Sequence, residues 1–305
     1  MRGDSILSRQ NDDFIMLPTV DFCFKELMNN AKVRKGFVAA ILGKDPKEIH
    51  ETILLPTDTR KRSKDDKQGF LDVKVLLVDG TKMDMEMQVE YFEYWDKRIL
   101  FYLAKMYTDQ LKKGESYEKL KKCIHVSILD FNHFPNDEKY YRVIKLCDKE
   151  SGETYSDLFE LHILELKKLP PEAQNEEAII QWMRFFSRTK KEEFENMAKL
   201  NEYLDEAYNE LLELSADDMK RLEYEAREKA LRDYNSQMQS ALKRGEARGQ
   251  AIGEAKGQEI GEVIGEARGI QLAKKVFQLH NCGVSEEEIA KQCKITVNQV
   301  KEILE

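Results

Sequence analysis

The residues best placed to do chemistry in this chain are acids and amides on alternate positions of Phe70–Glu90. Odd positions carry Leu71, Val73, Val75 and Leu77, then Met83, Met85, Met87 and Val89. Even positions carry Asp72, Lys74, Lys82, Asp84, Glu86, Gln88 and Glu90. Side chains alternate faces along a strand, so each half reads as a half-buried strand. For both apolar sets to face one core, paired positions must share parity. That demands an odd-length turn, and Val78-Asp79-Gly80 with Gly80 left-handed supplies it. Asp72 is then opposite Glu86, with Gln88 two residues along the same face. A two-residue Asp-Gly turn would put the two acids on opposite faces, against the hydrophobic pattern. Opposed carboxylates repel across a strand pair unless a cation lies between them. All-oxygen ligation suits a hard divalent ion such as Mg²⁺ or Mn²⁺. The other reading of the pattern is a solvated hairpin face whose acids keep the protein soluble.

The hairpin must be carried by a larger fold. Residues 19–42 read as one helix, with Phe22, Leu27, Val33, Phe37, Ile41 and Leu42 on its apolar face and Gly43 and Pro46 stopping it. Residues 49–56 are strand-like and end at Pro56. Thr57–Gln68 is charged and turn-rich. After the hairpin a helix is predicted from about Tyr94 to Lys112, closed by Gly114. Cys123–Asp130 is a short apolar strand, His133–Glu138 a turn, and 140–147 and 158–166 further strands. A helix, several strands, a helix and more strands predict an α/β sandwich around a mixed sheet.

Asp72, then Glu86-x-Gln88 after a hairpin, resembles the D…E-x-Q variant of the PD-(D/E)xK nuclease core. The match extends along the chain. Pro18-Thr19-Val20-Asp21-Phe22-Cys23-Phe24-Lys25 resembles a P-x-x-D-x-x-F-K opening. Arg98–Tyr102, Lys105–Tyr107 and Gln110–Tyr117 resemble the following helix and its exit, and Lys122–Leu129 the next strand. This ordered set is similar to the Rpn family of recombination-promoting nucleases, the PD-(D/E)xK nuclease family transposases, over about residues 15–240. The resemblance implies a restriction-endonuclease-like mixed-sheet core over residues 1–170 and metal-dependent cleavage of DNA.

Within that chemistry Asp72 and Glu86 would hold one or two Mg²⁺ (or Mn²⁺) ions, activating a water against a phosphodiester. Gln88 stands where most such nucleases have Lys. Its amide orients water but cannot offset phosphate charge, a task for which Lys74, on the face of Asp72, is the candidate. The resemblance also implies two further ligands, the backbone carbonyl of Met87 and the carboxylate of Asp21. Asp21 has a second reading, as the N-cap of the apolar-periodic run it opens. Lys25 and Arg98 are candidate phosphate contacts, or ordinary salt bridges. The basic run with Arg60, Lys61 and Arg62 precedes Asp72 and would track a DNA backbone, or is merely solvated. Tyr102 and Tyr107, at helical spacing, read as core. His125 and His133 read as structural, with no nucleophile or metal-spaced partner. Nothing resembles a Ser or Cys triad, a phosphate-binding Gly loop or a dinucleotide fingerprint.

Pro170-Pro171 marks a change of composition. Residues 171–240 read as a helical cap and connecting helix, with Trp182, Phe185, Phe186 and Phe194 on a first helix, then Met197–Leu214 and Asp217–Met238. Over 241–269 a glycine recurs every fourth residue from Gly245 to Gly269. Each mid-helix glycine costs about 1 kcal/mol relative to alanine. The repeat reads either as close helix–helix approach in a crossing or coiled-coil dimer, or as a flexible linker. Charges in every repeat exclude a transmembrane dimer motif. Residues 270–305 resemble a small helix-turn-helix-like module. Its first helix, Ile270–Leu279, stops at Gly283, and capping boxes at Ser285-x-x-Glu288 and Thr296-x-x-Gln299 open two more. Ile289, Ile295, Val297, Val300, Ile303 and Leu304 would be its core. The last helix carries one Lys and two Glu, so protein pairing competes with DNA reading.

The 305 residues carry 35% charged side chains and a net charge of −8, so any nucleic-acid contact is local. No apolar run reaches a membrane span, and Met1–Ser5 lacks a signal core, which predicts a cytoplasmic protein. The five scattered cysteines include no C-x-x-C pair. The leading reading is a Mg²⁺-dependent endodeoxyribonuclease, dimeric through its C-terminal helices and, as the resemblance implies, promoting recombination. The alternative is a non-catalytic nuclease-fold protein that binds DNA or regulates. Met238 would serve as an internal start for a tail-only form that pairs with the full chain.

Overall fold

The computed structural model describes residues 13–56 and 72–305. Its centre is the predicted hairpin. Strands β1 (Thr52–Leu55), β2 (Val73–Leu77) and β3 (Lys82–Gln88) form an antiparallel meander. The β2–β3 turn is the three-residue kind: the Leu77 N–H reaches the Thr81 carbonyl at 2.9 Å, and Gly80 has φ +87°. A Cβ at Gly80 would also lie 2.9 Å from Lys121 Cγ. The register pairs Val73 with Met85 and Lys74 with Asp84, which carries Asp72 opposite Glu86.

Three more strands complete a mixed sheet of order β1-β2-β3-β4-β6-β5, with β4 (Cys123–Leu129), β5 (Tyr141–Cys147) and β6 (Thr154–Glu165). β3, β4 and β6 run parallel, and β5 is antiparallel to β6. Helix α3 (Trp95–Thr108) makes the crossover from β3 to β4. Its buried Trp95, Ile99, Tyr102, Leu103 and Met106 recur at helical spacing and pack on β4 and β6 residues such as Cys123, Leu129 and Ile163. This cover alters one expectation. β2 is half-buried as its alternation predicts, but the interior of β3 is buried on both faces, including Asp84 and Glu86. α3 stops at Thr108 rather than near Lys112. The Gln110 side chain there makes two 3.0 Å bonds to the Lys121 backbone, one as donor and one as acceptor, turning the chain toward β4.

The opposite face carries Met83, Met85 and Met87 with Ile124, Val126 and Ile128 in one hydrophobic core. The predicted first helix is two helices, α1 (Asp21–Asn29) and α2 (Ala31–Leu42). Asn30 leaves helical geometry (ψ 121°), and its side chain accepts from the N–H groups of Lys32 and Val33, capping α2. Buried Arg34 then donates to the last carbonyls of α1, Met28 and Asn29, and to Thr52 on β1. Gly43, left-handed at φ 61°, ends α2 as predicted.

Helices α4 (Ala178–Ser187), α5 (Lys191–Ala198) and α6 (Glu202–Ala216) join the same core. Phe186 meets Phe24 and Phe37 edge-on at ring distances of 5.7 and 5.1 Å. α2 and α6 touch at Gly36, where an added Cβ would sit 2.5 Å from Tyr203 Cβ. The residues C-terminal to Pro171 thus form one packed body with the sheet up to Ala230.

Residues 231–305 form a second unit. Helix α7 (Asp218–Asn281) runs unbroken through all seven repeat glycines, and a Cβ at each of them would meet nothing within 4 Å. α8 (Glu286–Cys293) and α9 (Val297–Leu304) follow. Val276, Ile289, Ala290 and Val300 are their shared core, with Ile295, Val297, Ile303 and Leu304 around it. The Thr296–Gln299 capping box forms. The one expected at Ser285 does not: Ser285 is the N-cap but its side chain makes no capping bond, and three first-turn glutamates complement the helix dipole instead. No described helix is long and apolar enough to cross a membrane.

Candidate active site

The face of β3 beneath α3 gathers the predicted chemistry. Asp72 precedes β2 and its Oδ1 is 2.9 Å from Lys25 Nζ on α1. Glu86, four residues into β3, is paired with Arg98 on α3. Gln88 ends β3, and its side-chain N–H donates to the Glu90 carbonyl at 3.1 Å. Lys74 stands across the ladder from Asp84, on the same face. The Gln88 carbonyl accepts from the Asp130 N–H at 2.9 Å beside β4. Successive carbonyls alternate sides, so that of Met87 points toward the β2 side, where Asp72 lies.

Asp21 is not the N-cap. That position is Val20, which makes no side-chain capping bond, and Asp21 is the first helical residue. There its charge suits the positive helix end. It reaches Lys25 at 3.5 Å, so one ammonium bridges Asp21 and Asp72. Arg60, Lys61 and Arg62 lie outside the described residues. Lys25 and Arg98 are thus both spent on carboxylates in this state.

Asp84 and Ser127, given no role in the sequence argument, sit with His125 at the centre of the face. His125 Nδ1 is 2.7 Å from Asp84 Oδ2, and its Nε2 is 2.8 Å from Ser127 Oγ. The expectation that His125 lacks a partner of this kind is not met: it joins Asp84 and Ser127 in one buried hydrogen-bonded chain, because parallel pairing of β4 with β3 sets it beside Asp84. The His125-x-Ser127 spacing, with both on the parity of Asp84, was the available signal. The second oxygen of Asp84, Oδ1, is buried and accepts no hydrogen bond.

Electrostatics follow from crowding. Burial pushes the Glu86 carboxyl up to about 7; His125 and Arg98 pull it down, and Asp72 and Asp84 push it further up. Asp72 is raised as well, by burial first, with Lys25 opposing and Asp84 and Asp21 adding. For Lys25, burial lowers the pKa, but Asp72 and Asp21 outweigh it and the net shift is upward. The face is therefore short of positive charge even with two cations docked on it.

Among the described residues no three His, Cys, Asp or Glu side chains already converge as a metal cage. The donor chemistry nonetheless fits a hard divalent ion. Asp72 and Glu86 are opposed oxygen donors, both reluctant to ionise unpartnered, and Asp84 Oδ1 is orphaned beside them. Lys25 and Arg98 occupy the role such an ion would take.

The chain matches one family model, described as PD-(D/E)XK nuclease family transposase, over residues 18–241. It matches no curated protein and no solved structure. The match spans well over half the chain and takes in the sheet, α1 to α6 and every residue of the carboxylate face. This chain therefore belongs to the PD-(D/E)XK nuclease family transposases.

Proposed function

We propose that the chain is a divalent-metal-dependent endonuclease of DNA, using Mg²⁺ or Mn²⁺, acting in the cytoplasm and promoting recombination. The observation that supports it most is the opposition of Asp72 and Glu86 on one covered face, each needing a cation. Asp72, Glu86 and the Met87 carbonyl would hold the ion, with Asp21 brought in once Lys25 moves aside. When bound, such an ion polarises a phosphodiester and acidifies a water.

The chain's own groups supply the rest. Gln88 orients the attacking water by hydrogen bonding, having no charge to give. Lys74 offsets the charge that grows on the phosphate. Lys25 and Arg98 pair with the carboxylates in the resting state and would turn to phosphate oxygens once the ion takes their place. Asp84, His125 and Ser127 fix the middle of the face so that Glu86 keeps its position. The Arg60–Arg62 segment would follow the DNA backbone. We further read α7 as a homodimer helix whose glycine row admits a second copy, and Met238 as the start of a tail-only partner.

The test is supercoiled plasmid incubated with the full chain in Mg²⁺, Mn²⁺, Ca²⁺ or EDTA. Metal-dependent nicking, lost in both Asp72→Ala and Glu86→Ala, is the expected result. Cleavage that survives in both variants places the activity elsewhere. DNA binding without any cleavage favours the non-catalytic reading, in which Lys25 and Arg98 hold the acids permanently.

A further inference from the structure

Past Gln88 the chain leaves the sheet through Tyr91, Phe92 and Tyr94 before Trp95 opens α3. Trp95 is buried against His133, at 4.6 Å between rings, and satisfies the local core. The other three rings stay largely exposed, although Tyr91 also meets Phe131 of that core edge-on at 5.9 Å: Tyr91 is 62% exposed, Phe92 45% and Tyr94 51%. They are nonetheless arranged. Tyr91 stacks on His133 at 6.3 Å and 29°, and Phe92 meets Tyr94 edge-on at 5.8 Å. Lys97 Nζ lies 5.3 Å over the Tyr94 ring. An exposed aromatic cluster held in place is more informative than scattered apolar residues.

Its position says what would cover it. Tyr91 is three positions beyond Gln88, so their Cα atoms are at most about 11 Å apart by chain length. A phosphodiester held at Asp72 and Glu86 would therefore have its flanking nucleotides within reach of this segment. Lys97 offers the cation that a neighbouring phosphate needs. Glu90 and Glu93 repel phosphates from the rings themselves, as does Asp96, although its Oδ1 is engaged by His133 Nε2 at 3.0 Å. What the surface can accept is therefore an uncharged aromatic face beside an anionic backbone. In a duplex both faces of each base are covered by stacking, and only an unpaired base offers one.

We propose that Tyr91, Phe92 and Tyr94 form a stacking platform for unpaired nucleobases next to the scissile phosphate. The substrate class is then single-stranded or strand-separated DNA. The proposal rests on the nuclease reading of the adjoining carboxylates for the word scissile, and on the rings alone for the base.

The test measures the affinity of the full chain in Ca²⁺ for a fluorescein-labelled single-stranded oligonucleotide and for its duplex. Wild type is compared with a Tyr91→Ala, Phe92→Ala, Tyr94→Ala triple variant and with the matching triple Leu variant. Stacking on one ring is typically worth about 5- to 150-fold in affinity. Both triple variants should lose about ten-fold or more for the single strand, with duplex affinity unchanged. A 2-aminopurine in the single strand should be quenched by wild type and not by either variant. Full affinity in the Leu variant overturns stacking in favour of plain apolar contact. A dimer that becomes monomer in the Ala variant, with single-strand affinity intact, overturns it in favour of a protein interface. Plasmid nicking abolished by Glu86→Ala, alongside rim variants that bind single strands like wild type, sinks the platform alone. Loss of single-strand binding in the rim variants, with no metal-dependent cleavage by wild type, sinks only the nuclease reading.

Discussion

Replacing Glu86 by Gln should stabilise the protein, and increasingly so as pH rises. The Glu86 carboxyl is buried and its pKa is raised from 4.5 to about 7. A carboxyl whose pKa is raised on folding stabilises the folded state fully below its unfolded pKa. That contribution is lost as pH climbs to the folded value. Here the window runs from about 4.5 to about 7. The difference of roughly 2.5 units corresponds to about 3 kcal/mol. Gln has nearly the same shape and no proton to lose, so it escapes the loss. The stability gap between Glu86→Gln and wild type should therefore grow by about 3 kcal/mol between pH 4.5 and pH 8. Arg98 loses its partner at every pH in this window and shifts the gap without giving it that slope. Urea unfolding in EDTA, followed by tryptophan fluorescence, reads the relevant unit, because Trp95 and Trp182 are both buried within residues 13–230. Mg²⁺ should then stabilise wild type and leave the variant unmoved. A gap that stays constant from pH 4.5 to pH 8 would refute the reasoning, since it would mean that Glu86 ionises at no cost where it stands.

Other consequences follow from the same face and its supports. His125→Phe keeps a flat ring but strips Asp84 Oδ2 and Ser127 Oγ of their partner, leaving buried polar atoms unpaired; urea midpoints should show a loss of about 3 kcal/mol. Gly36→Ala drives a methyl into the Tyr203 Cβ, which cannot rotate away, and should cost about 1–3 kcal/mol by the same assay. Cleavage at limiting metal should fall about ten-fold per pH unit below pH 7, because the ion must displace the Glu86 proton; rates in a series of matched-ionic-strength buffers would reveal a flat profile if it need not. Lys74→Ala should lower the cleavage rate on the order of 100-fold while leaving the metal affinity near wild type, as expected for a group that meets only the phosphate.

Much of this was legible in the sequence, for identifiable reasons. The parity of Val73–Val89 fixed the turn length, and with it the meeting of Asp72 and Glu86, because a one-residue slip would have turned every apolar side chain outward. Gly80, Gly43 and the Thr296 box signalled their own geometry. What stayed hidden depended on distant partners. That β3 is buried on both faces follows from α3 folding back over it, and local alternation cannot carry that. The break at Asn30 was visible only as a polar residue within an apolar-periodic run; the Arg34 side chain that then satisfies the last carbonyls of α1 and reaches Thr52 on β1 is a long-range partner that periodicity does not show. Lys25 and Arg98 read either as phosphate contacts or as salt bridges, because charge alone does not say whether a carboxylate lies near; the structure shows the salt bridges, to Asp72 and Glu86. The link between Asp84, His125 and Ser127 was missed because it exists only once β4 pairs in parallel with β3.

The central claim is that the opposed carboxylates of Asp72 and Glu86 bind a divalent ion. Calorimetric titration of Mn²⁺ into the full chain at pH 8 tests it directly. Wild type should bind, while Asp72→Asn and Glu86→Gln, each keeping side-chain shape without charge, should lose the heat of binding. Equal binding by all three proteins would contradict the account and place the metal somewhere other than this face.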